Sequence, residues 1–250
     1  MAKYTDKNSY TLLFSVIMVL VVGSILAGVA QSLKERITEN ERFEKQQNIL
    51  YAMGVHNNEG EGDVEFISTE DVEEVFGMFI TKQLVIKGSD ISENDEAYLI
   101  NIKKEEKLAK DKSYVRQLPL FIGEKDGETF YIIPMRGKGL WDAIWGFISL
   151  DENFIVQGAF FDHKGETPGL GANIKERYFM DDFIGEDIMN EADVFKGIVV
   201  AKGNNDPKNE IKDDNEVDAL AGATITGDGL SVMIKSNIKM YLPYLNSIKK

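Results

Sequence analysis

The sequence predicts an α+β protein: a single N-terminal transmembrane helix, then a domain of antiparallel hairpins with flanking helices. Three observations carry this. A 21-residue apolar run, Tyr10 to Ala30, sits inside an uncharged stretch from Asn8 to Leu33. Two pairs of β-rich segments are separated by short turns, and helical patterns lie before and after them instead of alternating with them.

At ~1.5 Å rise per residue the apolar run spans about 30 Å, the thickness of a bilayer's hydrocarbon core. Gly28-Val29-Ala30 is a passable signal-peptide cleavage site. The run nevertheless exceeds the roughly 7–15 apolar residues of a signal peptide, so a retained anchor is expected. Lys3 and Lys7 flank it on one side, Lys34 and Arg36 on the other. That balance leaves the orientation open, because long domains translocate largely regardless of charge.

From Gln31 to Met53 the chain is charged and helix-friendly, with Gly54 as a C-cap, and reads as a helical stalk. Ser68 or Thr69 can cap a short helix running to about Phe79, with Glu70, Asp71, Glu73 and Glu74 favourable in its first turn. Lys103 to Lys112 reads as a solvated helical or loop face. Leu118–Ile122 and Thr129–Ile133 flank Asp126-Gly127, a strong hairpin signal. Ile144–Leu150 and Phe154–Phe161 flank Asp151-Glu152-Asn153 and suggest a second hairpin. Val194–Ala201 reads as a further strand and Lys202–Glu216 as a loop. Gly227 to Leu245 reads as a closing helix, with Leu230, Ile234, Ile238, Tyr241 and Leu245 on one face.

Composition narrows the chemistry. The formal net charge of -14 disfavours nucleic acid as a partner. The absence of cysteine excludes disulfides, thiolate nucleophiles and Fe–S ligation. With only His56 and His163, no metal site is expected. Neither Gly137-Lys138-Gly139 nor Gly169-Leu170-Gly171 has the third glycine of a dinucleotide fingerprint, and no P-loop or nucleophile elbow occurs. No catalytic residue is expected in this chain alone.

Three glycine-rich segments remain: Gly137-Lys-Gly139-Leu140-Trp141-Asp142, Gly165-Glu166-Thr167-Pro168-Gly169-Leu170-Gly171-Ala172, and Asp218-Ala-Leu-Ala-Gly222-Ala223-Thr224-Ile-Thr226. They could be three ordinary tight loops. Alternatively, glycines let a flat ligand approach the backbone, and the start of the last helix offers N–H groups to a phosphate. Gly222 and Ala223 leave little bulk to obstruct a large group on the Thr224 hydroxyl, and Asp218 lies close enough in sequence to orient it. The bland reading of Thr224 or Thr226 is a helix cap.

Asp218-Ala-Leu-Ala-Gly-Ala-Thr224 resembles the D-x-x-[ST]-G-A-T signature at which a flavin transferase attaches FMN through a threonine phosphoester. Gly165-Glu-Thr-Pro-Gly-Leu-Gly171 resembles the flavin-facing loop of the same FMN-binding domain. The N-terminal anchor, Gln47-Asn-Ile-Leu50, and Gly-Leu-Trp141 followed by Trp145-Gly-Phe147 are similar to the covalent-FMN subunit of the Na+-translocating NADH:quinone reductase family. Ala221 departs from the signature, standing where it has Ser or Thr.

The resemblance implies an electron-carrying subunit of a six-subunit, Na+-pumping NADH:ubiquinone reductase in the cell inner membrane. FMN would be covalent on Thr224, with Asp218, Gly222, Ala223, Glu166, Thr167, Gly169, Leu170, Gly171, Gly139, Leu140 and Trp141 around it. The implied partners are the other subunits, a flavin transferase during maturation, and membrane lipid. The implied order is an N-terminal tail (1–9), a transmembrane helix (10–30), a juxtamembrane stalk (31–54) and a periplasmic FMN-binding domain (55–250), with the N-terminus cytoplasmic. The equivalent subunit of the related Rnf-type ferredoxin:NAD+ complex shares the threonine signature. Gly165 and the Gly-Leu-Trp…Trp-Gly-Phe segment favour the quinone reductase. A free-standing FMN reductase or sensor, or an anchored domain without flavin, are the readings from other classes.

Overall fold

A computed structural model of the chain describes residues 8–60, 62–203, 206 and 209–249. Lys3 and Lys7 lie outside the described residues, as does part of the 202–216 loop. Two compact units divide at Glu44 and Lys45.

The first unit is the major part of helix α1 (Asn8–Ala52). Nothing in its 45 residues breaks a helix: proline is absent and only Gly23 and Gly28 weaken it. Its most apolar 18-residue window has a mean hydropathy of 2.7, and among the described residues it is the one helix long and apolar enough to cross a membrane.

The last turns of α1 belong to the second unit, where Gln46 and Asn48 to Ala52 are buried. The helix stops at Gly54, whose φ of +75° few other residues tolerate. The Gly54 N–H donates to Tyr51 O at 2.9 Å and the Val55 N–H to Leu50 O at 2.9 Å, a Schellman closure of the last carbonyls.

The second unit is built on a six-stranded antiparallel sheet in the order β2-β1-β3-β4-β5-β6. The strands are β1 (Ile80–Lys87), β2 (Asp90–Glu93), β3 (Gln117–Lys125), β4 (Glu128–Lys138), β5 (Ala143–Leu150) and β6 (Val156–His163). The β3–β4 hairpin turns at Asp126 and Gly127, both at positive φ (+55° and +84°), as a two-residue twisted turn demands. Helix α2 (Val72–Phe79) begins after Ser68, whose Oγ accepts from the Asp71 N–H at 3.1 Å.

Several expectations change. Strands β1 and β2 were not anticipated, because Thr81, Lys82 and Gln83 break the apolar pattern of β1 and β2 is exposed throughout. Strand β4 runs on to Lys138, so Gly137 and Lys138 are strand, not loop. Strand β6 starts at Val156, since Phe154 turns the chain at φ +70°. Within Val194–Ala201 only Val199–Val200 (β7) is strand. It pairs in parallel with Glu216–Val217 (β8), and the Val200 N–H bonds to a helix hydroxyl, Ser231 Oγ. The charged stretch near Lys103 holds a helix, α3 (Ile102–Leu108), capped by the Asn101 side chain.

A 3-10 turn (Gly171–Lys175) and helix α4 (Arg177–Asp181) follow β6. Helix α5 (Thr224–Ile248) closes the chain. Leu230, Ile234, Ile238, Tyr241 and Leu245 are all buried, as their spacing predicts. Two glycines permit α5 to lie close on β4. A Cβ on Gly137 would sit 2.7 Å from Met233 Cβ, and one on Gly229 2.3 Å from Lys138 O. This contact fixes the helix start beside the β4–β5 turn.

Candidate functional site

Helix α5 begins three residues earlier than its apolar pattern suggests. Gly222 adopts φ +68° and Ala223 is the N-cap, so Thr224 is the first helical residue. Neither threonine caps the helix, which removes the bland reading of both. The first intrahelical bond runs from the Gly227 N–H to Ala223 O at 3.0 Å. The N–H groups of Thr224, Ile225 and Thr226 precede it and point out of the helix end. Thr224 is exposed, and among the described residues no hydrogen bond engages its hydroxyl.

Thr226 is the opposite case. It is 1% exposed, and its hydroxyl donates to Glu166 Oε2 at 2.6 Å. Glu166, itself 4% exposed, accepts the Trp141 N–H on Oε1 at 2.9 Å and the Asp142 N–H at 3.5 Å. One carboxylate therefore ties the β4–β5 turn, the loop after β6 and the start of α5 together. All three glycine-rich segments converge on it.

The glycines make this convergence possible. A Cβ on Gly139 would lie 2.6 Å from Glu166 Oε1, and one on Gly171 2.5 Å from Thr226 Oγ1. A Cβ on Gly222 would lie 2.8 Å from Leu170 Cδ2, which brings the third segment against the second. Pro168 and Gly169 occupy the middle of a turn closed by the Leu170 N–H on Thr167 O at 3.1 Å. Gly169 is at φ +75°, as proline-glycine turns require.

Burial alone would push the Glu166 carboxyl up. The Thr226 hydroxyl and the backbone N–H groups of Trp141, Asp142 and Leu140 outweigh it and hold the group below the usual carboxylate range. Glu166 is thus an anion saturated by the protein's own donors. Its oxygens face inward, so it shapes the site rather than meeting a ligand, a refinement of its place among the flavin contacts.

Large apolar side chains surround the convergence on the solvent side. Leu140, Trp141, Leu170 and Ile225 are all exposed, Trp141 by 66%. Trp141 is pinned at both ends: its backbone N–H goes to Glu166 and its indole N–H to Thr167 Oγ1 at 3.2 Å. Ordering an exposed indole this way costs side-chain entropy, which a bound aromatic ligand would offset.

Asp218 makes no such contact with Thr224. Among the described residues no hydrogen bond joins the two. Burial, with Asp206 adding to it against Lys212, raises the Asp218 carboxyl. It belongs to an acidic group with Asp182, pushed up to about 6 by burial first and then by Asp218. Burial also pushes Glu186 up to about 7, opposed by Asn209 and Lys212.

Sequence reading missed two participants. Thr226 was weighed only as a cap or second hydroxyl, although a threonine two residues from another on a helix turns to a different face. His163, whose Nδ1 accepts the Glu166 N–H at 3.1 Å, carries no pattern that betrays it.

A flat ligand against glycines, a free hydroxyl on an open helix N-terminus and an apolar rim define a flavin-carrying domain, and residues 139–239 match the FMN-binding domain family. The chain is 30% identical to the NqrC polypeptide of the Na(+)-translocating NADH-quinone reductase of Neisseria meningitidis serogroup B, over all of this chain and 98% of that one. A crystal structure of the equivalent polypeptide from Parabacteroides distasonis superposes with a TM-score of 0.70 at 30% identity, covering 85% of this chain and 96% of that one. Shewanella oneidensis NqrC, at 21% identity and a TM-score of 0.66 over 84% and 98% of the two chains, shares the fold. The chain belongs to the NqrC family of the Na+-translocating NADH-quinone reductase.

Proposed function

We propose that this chain is the FMN-bearing subunit of a membrane Na+-pumping NADH:quinone reductase, carrying the cofactor covalently on Thr224 through a phosphoester. The observation that carries the reading is the contrast between two threonines two residues apart. Thr224 presents a free, exposed hydroxyl at an open helix N-terminus, whereas Thr226 is buried with its hydroxyl committed to Glu166.

The residues present fit the group. The N–H groups of Thr224, Ile225 and Thr226 would take the phosphate. Leu140, Trp141, Leu170 and Ile225 would shield the ring system, which the glycines at 139, 169 and 171 let approach. FMN supplies one- and two-electron transfer; the protein's tasks are to hold it, exclude water from one side and leave it open to a donor and an acceptor. Attachment forms a bond from Thr224 Oγ to phosphorus and breaks a phosphoanhydride in a flavin dinucleotide donor. The nucleoside monophosphate leaves, and the hydroxyl proton passes to a base of the flavin transferase. Asp218 contributes without touching the hydroxyl, as part of the surface that the transferase reads.

In this reading residues 10–30 span the inner membrane, 31–54 form the stalk, and 55–250 form the flavin domain on the periplasmic side, with the N-terminus cytoplasmic. A tether suits that side, where released FMN is not replenished. The test is direct. Full-length protein produced with a flavin transferase should stay yellow and fluorescent after denaturation and gel filtration. Colourless protein under those conditions overturns the proposal.

A further inference from the structure

We propose that His163 is a positioning residue of the flavin site, working as a neutral imidazole that accepts the backbone N–H of Glu166. The proposal rests on the reading of the three glycine segments as that site, and it concerns a residue outside all of them.

His163 ends β6, on the side of the sheet that carries α5. The register shows this: Gly137 pairs with Ile144, and Ile144 with His163, so the three stand in one cross-strand row. Gly137 faces Met233 of α5, which sets the direction of the row. The Ile144 side chain reaches to 3.0 Å of where a Gly139 Cβ would be, so this row borders the first glycine segment. Within it the imidazole turns toward the following loop, and Nδ1 lies 3.1 Å from the Glu166 nitrogen.

A backbone N–H can only donate, so Nδ1 is the acceptor and carries no proton. The ring proton is then on Nε2, which is buried without a hydrogen-bond partner. The imidazolium would set an Nδ1–H against the Glu166 N–H, donor against donor. The structure therefore fixes both the tautomer and the charge of His163.

This bond matters because of what hangs on Glu166. Other ties hold the neighbourhood to β5: the Lys164 N–H donates to Ala143 O at 3.0 Å, and Lys164 Nζ meets Asp142 Oδ2 at 2.7 Å. Both grip residue 164, before the loop turns. His163 is the contact that grips the Glu166 backbone itself, and thereby aims its carboxylate at Trp141 and Thr226. Loss of it frees the hub, and with it the Trp141 indole and the first turn of α5.

The experiment uses full-length protein made with a flavin transferase and purified in detergent. His163→Asn places an amide oxygen near the position of Nδ1, whereas His163→Gln places its amide near Nε2. H163N should keep the wild-type flavin midpoint potential and Trp emission. H163Q should shift both and lower covalent flavin yield severalfold. Equal behaviour of the two variants overturns the proposal. Should either fail to fold, histidine-selective 15N NMR of the wild type decides, with only two imidazoles to assign. His163 should show an unprotonated Nδ1 and a protonated Nε2; the reverse tautomer overturns the proposal. Wild-type protein without flavin would sink the proposed function, and the NMR result would still judge His163.

Discussion

Thr226 Oγ1 and Glu166 Oε2 lie 2.6 Å apart, both buried, joining the start of the last helix to a loop sixty residues earlier. A hydrogen bond to a charged acceptor is worth about 1.5–3 kcal/mol, and leaving a buried carboxylate short of a donor costs at the upper end. Thr226→Val keeps the shape and removes the donor. Full-length protein in detergent should unfold with a loss of about 2 kcal/mol in a urea titration. An unchanged midpoint would mean that the contact contributes nothing.

Glu166 also makes an acid-side prediction. Its carboxyl is held below the ordinary glutamate value of 4.5, so its stabilising contribution is complete above that pH. It fades as pH falls below 4.5 through the lower folded value. Glu166→Gln should remove this limb of the stability profile, measured by thermal unfolding across that acid range.

Glu186 and Asp182 act in the opposite sense. Their carboxyls are raised by burial, to about 7 and about 6. A raised carboxyl favours the folded state fully below its unfolded value and loses that benefit as pH rises through the folded value. The domain should therefore be more stable at about pH 5.5 than at about pH 8, by on the order of 2 kcal/mol. Glu186→Gln should flatten that slope; a slope unchanged in the variant would assign it to other groups.

Topology is open to a labelling test that the composition makes clean, because the chain has no cysteine. A single cysteine at the exposed position Lys110 should react with a membrane-impermeant maleimide in cells with a permeabilised outer membrane. Labelling only after the inner membrane is broken would place the domain on the cytoplasmic side.

Much of this architecture was legible in the sequence. The long helix, its glycine stop at Gly54, the Asp126-Gly127 hairpin and the buried stripe of α5 all follow from local chemistry. Strand β1 was hidden because Thr81, Lys82 and Gln83 interrupt its pattern, and its pairing with β3 is a tertiary fact. The site was half legible. The three glycine segments announce themselves singly, but nothing in their order says that one carboxylate joins them. Burial of Glu166 under four donors turns an expected ligand contact into the site's internal strut. Asp218 illustrates the converse: proximity in sequence to Thr224 becomes a place among Asp182 and Asp206 in space.

The central claim is the identity of the modified atom, and peptide mapping tests it most directly. Protein made with a flavin transferase, digested and analysed by mass spectrometry, should carry the FMN-derived mass on Thr224. Thr224→Val should fold and bear no flavin after denaturation. Flavin retained by that variant, or a modified peptide that maps to Thr226 or Thr167, would contradict the account.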